Sequence, residues 1–94
     1  MKVELFLVRH GEYEGLYTKS ELEELKQEII EDYRNDKIGY LEDIFNAADY
    51  KTLTLAALGD ENGKKKIQEY IENCEEQYWD DFYTEYVDEY EKEI

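Results

Sequence analysis

From Lys64 to Ile94 the chain contains neither proline nor glycine, and its apolar residues recur every three or four positions. This spacing is typical of one face of an amphipathic helix. The apolar seam consists of Ile67, Tyr70, Ile71, Cys74, Tyr78, Phe82, Tyr86, Tyr90 and Ile94. One continuous helix over this segment would be about 45 Å long at 1.5 Å per residue. Because a chain of this size cannot cover such a length, we expect the far end to project or to meet a partner.

The N-terminal part predicts a strand or a hairpin. Residues 2–8 are rich in β-branched and aromatic side chains, and Val3, Leu5 and Leu7 fall on one face of the expected strand. Gly11 and Gly15 interrupt the chain after this strand, and residues 13–18 are expected to return as a second strand.

A helix is expected to begin at Ser20, where residues 20–23 match the pattern of a capping box. Apolar residues then recur at helical spacing, namely Leu22, Leu25, Ile29 and Tyr33. This helix should end around residues 34–37, before Gly39. A short second helix is indicated by Leu41, Ile44, Phe45 and Ala48.

Residues 50–58 are ambiguous between a strand and a helix. Leu53 and Leu55 alternate with polar residues as in a strand, which is the interpretation that we favour, but Asp49 could instead cap a short helix. Residues 59–63 predict a turn. The whole chain, residues 1–94, is therefore expected to form a single α+β domain. It would contain an N-terminal strand or hairpin, two or three helices and a long C-terminal acidic helix.

The net charge of −15 restricts the partners. Such a surface repels nucleic acid and anionic lipid, and it attracts basic surfaces over about 8–10 Å. We therefore expect no direct contact with nucleic acid and no membrane association. A single cysteine and the lack of a signal-peptide pattern favour the cytoplasm.

The phrase Leu5-Phe6-Leu7-Val8-Arg9-His10-Gly11-Glu12 resembles the signature of the histidine phosphatase and phosphoglycerate mutase family. That resemblance implies a phosphoryl-accepting His10 and a phosphate-clamping Arg9. The family also needs a second histidine and further pocket arginines. His10 is the only histidine here, and only Arg34 remains as another arginine. We therefore interpret the phrase as a strand end followed by an exposed histidine and a glycine turn.

No other set of residues predicts catalysis. Cys74 is flanked by Asn73 and Glu75, and a neighbouring carboxylate disfavours the thiolate that a nucleophile requires. The paired acids of the C-terminal segment lack a histidine nearby that would select a metal ion. We expect no enzymatic activity, no cofactor and no metal.

The C-terminal acids predict a different function. Eleven acids and one lysine lie between residues 67 and 94, and a helix would space them at roughly one negative charge per 3–4 Å, near the ~3.4 Å per phosphate along one DNA strand. Trp79 and Tyr83 lie off the apolar seam, so we expect them to be exposed anchors. The predicted partner-binding residues are Glu72, Glu75, Glu76, Trp79, Asp80, Asp81, Tyr83, Glu85, Asp88 and Glu89.

In size, charge and tyrosine content the chain resembles the small acidic DNA-mimicking inhibitors of bacteriophages and mobile elements, of the anti-CRISPR and anti-restriction type. The resemblance implies binding to the basic nucleic-acid groove of a host defence nuclease, such as a CRISPR effector, in the host cytoplasm. Two alternatives stay open. One is an acidic immunity or antidote protein that neutralises a basic toxin, and the other is a structural homodimer paired through Tyr78, Phe82 and Tyr86.

Overall fold

The computed structural model describes residues 1–93 and shows an α+β fold. The elements are β1 (Lys2–Val8), β2 (Gly15–Tyr17), α1 (Lys19–Asn35), α2 (Lys37–Ala47), α3 (Tyr50–Ala57), α4 (Glu61–Tyr86) and β3 (Val87–Glu93). A single 3₁₀ turn, Gly11–Tyr13, lies between β1 and β2. The predicted fold class is confirmed, with N-terminal strands and a long helix near the C-terminus. Ile94, the last residue of the predicted seam, lies outside the described residues.

The three strands form one antiparallel sheet in the order β2-β1-β3. β1 pairs with β2 only at its end, where Phe6 lies opposite Tyr17. It pairs with β3 along its whole length, from Lys2 opposite Glu93 to Val8 opposite Val87. The central strand of the sheet is therefore the N-terminal segment that the sequence predicted as a strand.

The continuous helix predicted from Lys64 to Ile94 is wrong at both ends. α4 begins earlier, at Glu61, and it ends at Tyr86, where the chain continues directly into β3. Val87 and Tyr90 belong to residue types that favour strands, and pairing with β1 satisfies backbone groups that a projecting helix end would expose. The last acidic residues therefore lie on a strand instead of a helix.

The contacts divide the chain into two compact units. Unit 1 consists of Met1–Glu31 and Trp79–Ile94, and unit 2 consists of Asp32–Tyr78. The single-domain organisation of residues 1–94 stays a prediction. α1 and α4 each contribute residues to both units, and the units are described separately below.

The core of unit 1 lies on one face of the sheet. Its buried residues are Phe6, Val8, Leu22, Leu25, Ile29, Trp79, Phe82 and Val87. β1 thus places Phe6 and Val8 in the core, and the face with Val3, Leu5 and Leu7 is only half-buried.

α1 starts one residue earlier than predicted, and its capping box is different. The backbone N–H of Glu21 donates to Thr18 Oγ1 at 3.3 Å, and the N–H of Thr18 donates to Glu21 Oε1 at 3.2 Å. This reciprocal arrangement is the capping box, with Thr18 as the N-cap residue in place of Ser20. The predicted end is confirmed, because α1 ends at Asn35.

Unit 2 contains α2, α3 and the first part of α4. α2 confirms the predicted short helix, although Gly39 lies within it. The strand that we favoured for residues 50–58 is wrong, because this segment forms α3. Asp49 caps it, since its Oδ1 accepts from the Thr52 N–H at 2.7 Å and its Oδ2 from the Thr52 hydroxyl at 2.9 Å. These two donors lower the pKa of Asp49, the backbone N–H having the larger effect.

Gly59 ends α3 in a left-handed conformation, with φ of 89°. The N–H of Gly59 donates to the Ala56 carbonyl at 3.1 Å, and the N–H of Asp60 donates to the Leu55 carbonyl at 3.0 Å. This pair of bonds is a Schellman motif, in which glycine avoids the steric cost of positive φ. The turn predicted at residues 59–63 is therefore shorter than expected, because α4 already begins at Glu61.

None of the helices within residues 1–93 combines the length and the apolar composition that a bilayer-spanning segment requires.

Candidate partner-binding surface

Three of the predicted binding residues lie on the part of α4 that belongs to unit 2. Glu72 and Glu76 are exposed, but Glu75 is only 8% exposed. Arg34 holds the Glu75 carboxylate from two sides, with Nη2 2.7 Å from Oε2 and Nε 3.1 Å from Oε1. The Tyr40 hydroxyl also donates to Oε1, at 3.2 Å. The expectation that Glu75 faces outward is therefore wrong.

Aromatic rings and a half-buried thiol pack near this ion pair within unit 2. The rings of Tyr33 and Tyr78 stack with their centroids 4.1 Å apart. The Tyr33 hydroxyl donates to Asp43 at 2.5 Å, and burial, followed by this bond, raises the pKa of Tyr33. Burial also raises the pKa of Cys74, as do the charges of Asp43 and Glu75. Since a raised pKa disfavours the thiolate, Cys74 packs as a small apolar residue.

Trp79 is buried, so the prediction of an exposed anchor is wrong. It is 8% exposed and its ring stacks on Phe82, with centroids 5.8 Å apart. The sequence prediction placed Trp79 outside the core because it took the narrow apolar seam to be the whole buried face of the helix. In unit 1 the buried face of α4 is wider than this seam. It includes Trp79 and Phe82, and Tyr83 is partly buried beside them.

Tyr83 is half-buried, and its hydroxyl donates a hydrogen bond to Glu89 of β3. Burial is the main cause that raises the pKa of Tyr83 to about 12, followed by the hydrogen bond to Glu89 and by the negative charges of Glu89 and Glu4. Tyr83 is thus a positioning partner of Glu89 and is not an open anchor.

The raised pKa of Tyr83 predicts a loss of stability at high pH. The folded pKa of about 12 lies above the unfolded value of 10.0, so the contribution of Tyr83 is complete below pH 10.0 and is lost as the pH rises towards 12. The ¹³C resonance of the Tyr83 ring, followed by NMR, should titrate with a midpoint at about pH 12. The Glu89→Gln substitution should lower the pKa of Tyr83 only partly, because the burial of the Tyr83 phenol remains. Titration near 10 in the parent chain would contradict this assignment.

The other predicted carboxylates of unit 1 lie near the end of α4. Asp80, Asp81 and Glu85 are exposed. Asp88 is half-buried and pairs with Arg9, whose Nε lies 2.7 Å from Asp88 Oδ2. Three of these four acids are therefore displayed, and Asp88 is partly neutralised.

The phosphatase-like phrase has a structural role. Arg9 Nη2 donates to the Glu85 carbonyl at 3.2 Å, and the Arg9 backbone N–H donates to the Tyr86 carbonyl at 2.9 Å. A cation at this end of α4 is favourable, because the helix C-terminus carries partial negative charge. Arg9 therefore caps α4, which is why the helix can end among acidic residues.

His10 is half-buried, and the prediction of an exposed histidine is wrong. Its ring lies against Tyr13, Phe82 and Tyr86, with centroid distances of 5.7, 5.4 and 4.7 Å. The Nδ1 atom makes no hydrogen bond among the described residues. These aromatic contacts pack the imidazole ring against the core of unit 1.

The sheet brings together three carboxylates, of which only Glu89 was a predicted binding residue. Glu4 of β1 lies directly opposite Glu91 of β3, and Glu89 is the next residue on the same face of β3. These residues line a shallow cleft together with Phe6 and Tyr90. Like charges directly opposite each other are unfavourable in a sheet. Lys2 lies 3.5 Å from Glu91 and offsets the repulsion in part.

Glu4 and Glu91 were missed because their position opposite each other depends on strand pairing across most of the chain. The alternation of residues 87–93 was the available signal, since Val87, Glu89, Glu91 and Glu93 share one face and Asp88, Tyr90 and Lys92 the other. A helical interpretation of the same segment concealed it.

Most of the negative charge lies in unit 1, which contains 15 carboxylates and five basic side chains, for a net charge of −10. Of these carboxylates 14 are exposed, Asp88 being the exception. Even if each basic residue neutralised one acid, ten carboxylates would remain in excess. No group of three or more His, Cys, Asp or Glu side chains within residues 1–93 is arranged to hold a metal ion.

Comparison with family models, with curated proteins and with solved structures finds no match to this chain.

Proposed function

We propose that this chain is an inhibitor that binds the basic nucleic-acid groove of a host defence nuclease, a CRISPR effector in the first place, and competes there with DNA. It acts in the host cytoplasm, without catalysis and without a cofactor. The observation that carries the proposal is the exposed excess of carboxylates in unit 1. A surface of this charge attracts a cationic groove and speeds the encounter with it.

The binding surface of unit 1 combines a helix end and a strand. Asp80, Asp81 and Glu85 lie on α4, and Glu89 and Glu91 lie on β3. Along a strand, side chains on one face are about 6.8 Å apart, which is twice the ~3.4 Å axial rise per phosphate of one DNA strand. The surface therefore supports an imitation of alternate phosphates along β3 in place of the continuous helical row that the sequence predicted.

Of the two alternatives, the structural homodimer would pair through Tyr78, Phe82 and Tyr86, but the middle residue, Phe82, is not available for such a contact. Phe82 is 8% exposed and belongs to the core of unit 1, and Tyr86 packs against that core. A dimer through Tyr78, Phe82 and Tyr86 would therefore require the core of unit 1 to open. This observation favours the inhibitor over the structural homodimer.

The proposal is tested by DNA cleavage with a panel of purified CRISPR effector nucleases. The parent chain should inhibit at least one of them, and inhibition should weaken as the salt concentration rises. Neutralising three displayed acids together, with Asp80→Asn, Glu85→Gln and Glu89→Gln, should raise the inhibitory concentration about tenfold or more, because each substitution removes a steering charge.

The matched control neutralises three exposed acids of unit 2, with Glu42→Gln, Glu61→Gln and Glu69→Gln. Both variants change the net charge by the same amount, so a general charge effect would alter both equally. The proposal is wrong if the unit 1 variant inhibits as well as the parent chain, or if no effector of the panel is inhibited.

A further inference from the structure

β3 ends the sheet, since it is the last strand in the order β2-β1-β3. Its outer edge therefore forms no strand pair within residues 1–93. The five residues from Glu89 to Glu93 are all exposed. An edge of this kind offers unpaired N–H and C=O groups, which are a template for another strand.

One hydrogen bond establishes which backbone groups face that edge. The Arg9 N–H donates to the Tyr86 carbonyl at 2.9 Å, and this pair continues the register of Val8 opposite Val87. In an antiparallel pair, hydrogen-bonded positions alternate with positions whose N–H and C=O groups point away from the partner. Glu89, Glu91 and Glu93 occupy the second kind of position. Their backbone groups therefore point to the outer edge of β3.

The same three residues carry carboxylates on one face of β3, and Tyr90 lies on the other face at 54% exposure. An added strand would place its own side chains directly opposite them, with Cβ atoms about 5 Å apart. A second copy of β3 would set glutamates against glutamates, which is unfavourable. A strand with a basic residue at every second position would instead meet each glutamate with an opposite charge.

We infer that the outer edge of β3 receives an extended basic segment of the partner protein as a fourth, antiparallel strand. The segment presents Lys or Arg at alternate positions towards Glu89, Glu91 and Glu93, and its intervening β-branched residues lie on the face of Tyr90. Main-chain hydrogen bonds supply affinity in this mode, and the alternation of side chains supplies specificity. The inference rests on the proposed function and names its mode of recognition.

The probe is a hexapeptide of alternating lysine and valine with blocked termini, added to the ¹⁵N-labelled chain. Amide hydrogen exchange should already be slow at Asp88, Tyr90 and Lys92 in the free chain, because their N–H groups face β1. Exchange at Glu89, Glu91 and Glu93 should be fast in the free chain. Addition of the peptide should decrease the exchange rate of these three amides at least about tenfold. Protection of these three amides without peptide would show pairing with a second copy and would overturn the inference.

Two N-methylated isomers of the peptide are the matched controls. In the inferred pairing the lysine N–H groups face β3, so N-methyl groups on the lysines should weaken binding about tenfold or more. N-methyl groups on the valines point away and should leave the affinity within about threefold. Equal binding of both isomers, or binding that protects none of the three amides, would contradict strand addition.

This result is separable from that of the cleavage assay. If the edge amides stay unprotected while acid neutralisation still abolishes inhibition of a nuclease, the partner is held by side chains alone and only the strand addition is wrong. If the peptide adds as a strand but no nuclease is inhibited, the proposed function is wrong and the edge still recognises a basic strand.

Discussion

Trp79→Ala is expected to lower the free energy of unfolding by about 3–5 kcal/mol, the cost of removing a large aromatic ring from a packed core. Trp79 is 8% exposed, and its ring lies 5.8 Å from that of Phe82 and 5.9 Å from that of Tyr83. Small domains have a total stability of about 5–15 kcal/mol, so the variant should be close to unfolding at room temperature. Chemical denaturation measures the loss directly.

Two further variants keep this prediction informative. Trp79→Phe retains a ring and should lose clearly less stability than the alanine variant. Leu16→Ala removes an aliphatic side chain that is 62% exposed and should change stability by less than about 0.5 kcal/mol. An alanine variant that stays fully stable but loses binding would restore Trp79 as an exposed anchor and would contradict the burial described above.

Glu75→Ala is expected to lower the free energy of unfolding by about 1–3 kcal/mol, although the neighbouring acids Glu72 and Glu76 on the same helix are exposed. The carboxylate accepts hydrogen bonds from Arg34 and Tyr40 while being 8% exposed. Removing it leaves the guanidinium and the phenol without this acceptor. The loss should be smaller than for a fully buried ion pair, because the Arg34 side chain is 50% exposed and water can solvate it.

Glu72→Ala is the matched control, because Glu72 lies one turn away on the same helix and is exposed. It should change the free energy of unfolding by less than about 0.5 kcal/mol. Urea denaturation of both variants distinguishes the two glutamates. Equal stability of the Glu75 and Glu72 variants would mean that the contacts of Glu75 contribute nothing to the fold.

Trp79 and Glu75 show that the pattern of acids and aromatic residues in the sequence overstates the binding surface. Of the ten predicted binding residues, Glu75 and Trp79 are buried, and Tyr83 and Asp88 are half-buried. The remaining six are carboxylates that do reach the surface or, for Glu89, accept a bond while staying exposed. The net charge of the chain is unchanged by this redistribution. The proposed surface is therefore narrower and includes the strand β3.

The pattern of acids and tyrosines could not separate these roles. A helical period identifies which residues share a face, but it does not say how much of the circumference other elements cover. In unit 1 the sheet and α1 both pack on the end of α4, so Trp79 is covered as well as Phe82. Arg34 was the only arginine besides Arg9, and its position relative to Glu75 depends on contacts across 41 residues of chain.

Local signals in the sequence determined β1, α1, α2 and the general position of α4. Strand propensity over residues 2–8, an N-terminal cap near residue 20 and the glycine that ends α3 act over a few residues, so their effect can be recognised without knowledge of the fold. The negative charge is likewise a property of composition. It restricts the partner to a cationic surface whatever the chain folds into.

Only the tertiary structure decided that residues 87–93 form a strand. Their spacing is compatible with a helix, but four carboxylates there would oppose the helix macrodipole at its C-terminal end. Arg9 caps α4 at Tyr86, and β1 offers seven residues of pairing, so the extended conformation satisfies both the backbone and the charges. Because those partners lie about 80 residues earlier in the chain, no local pattern could reveal them.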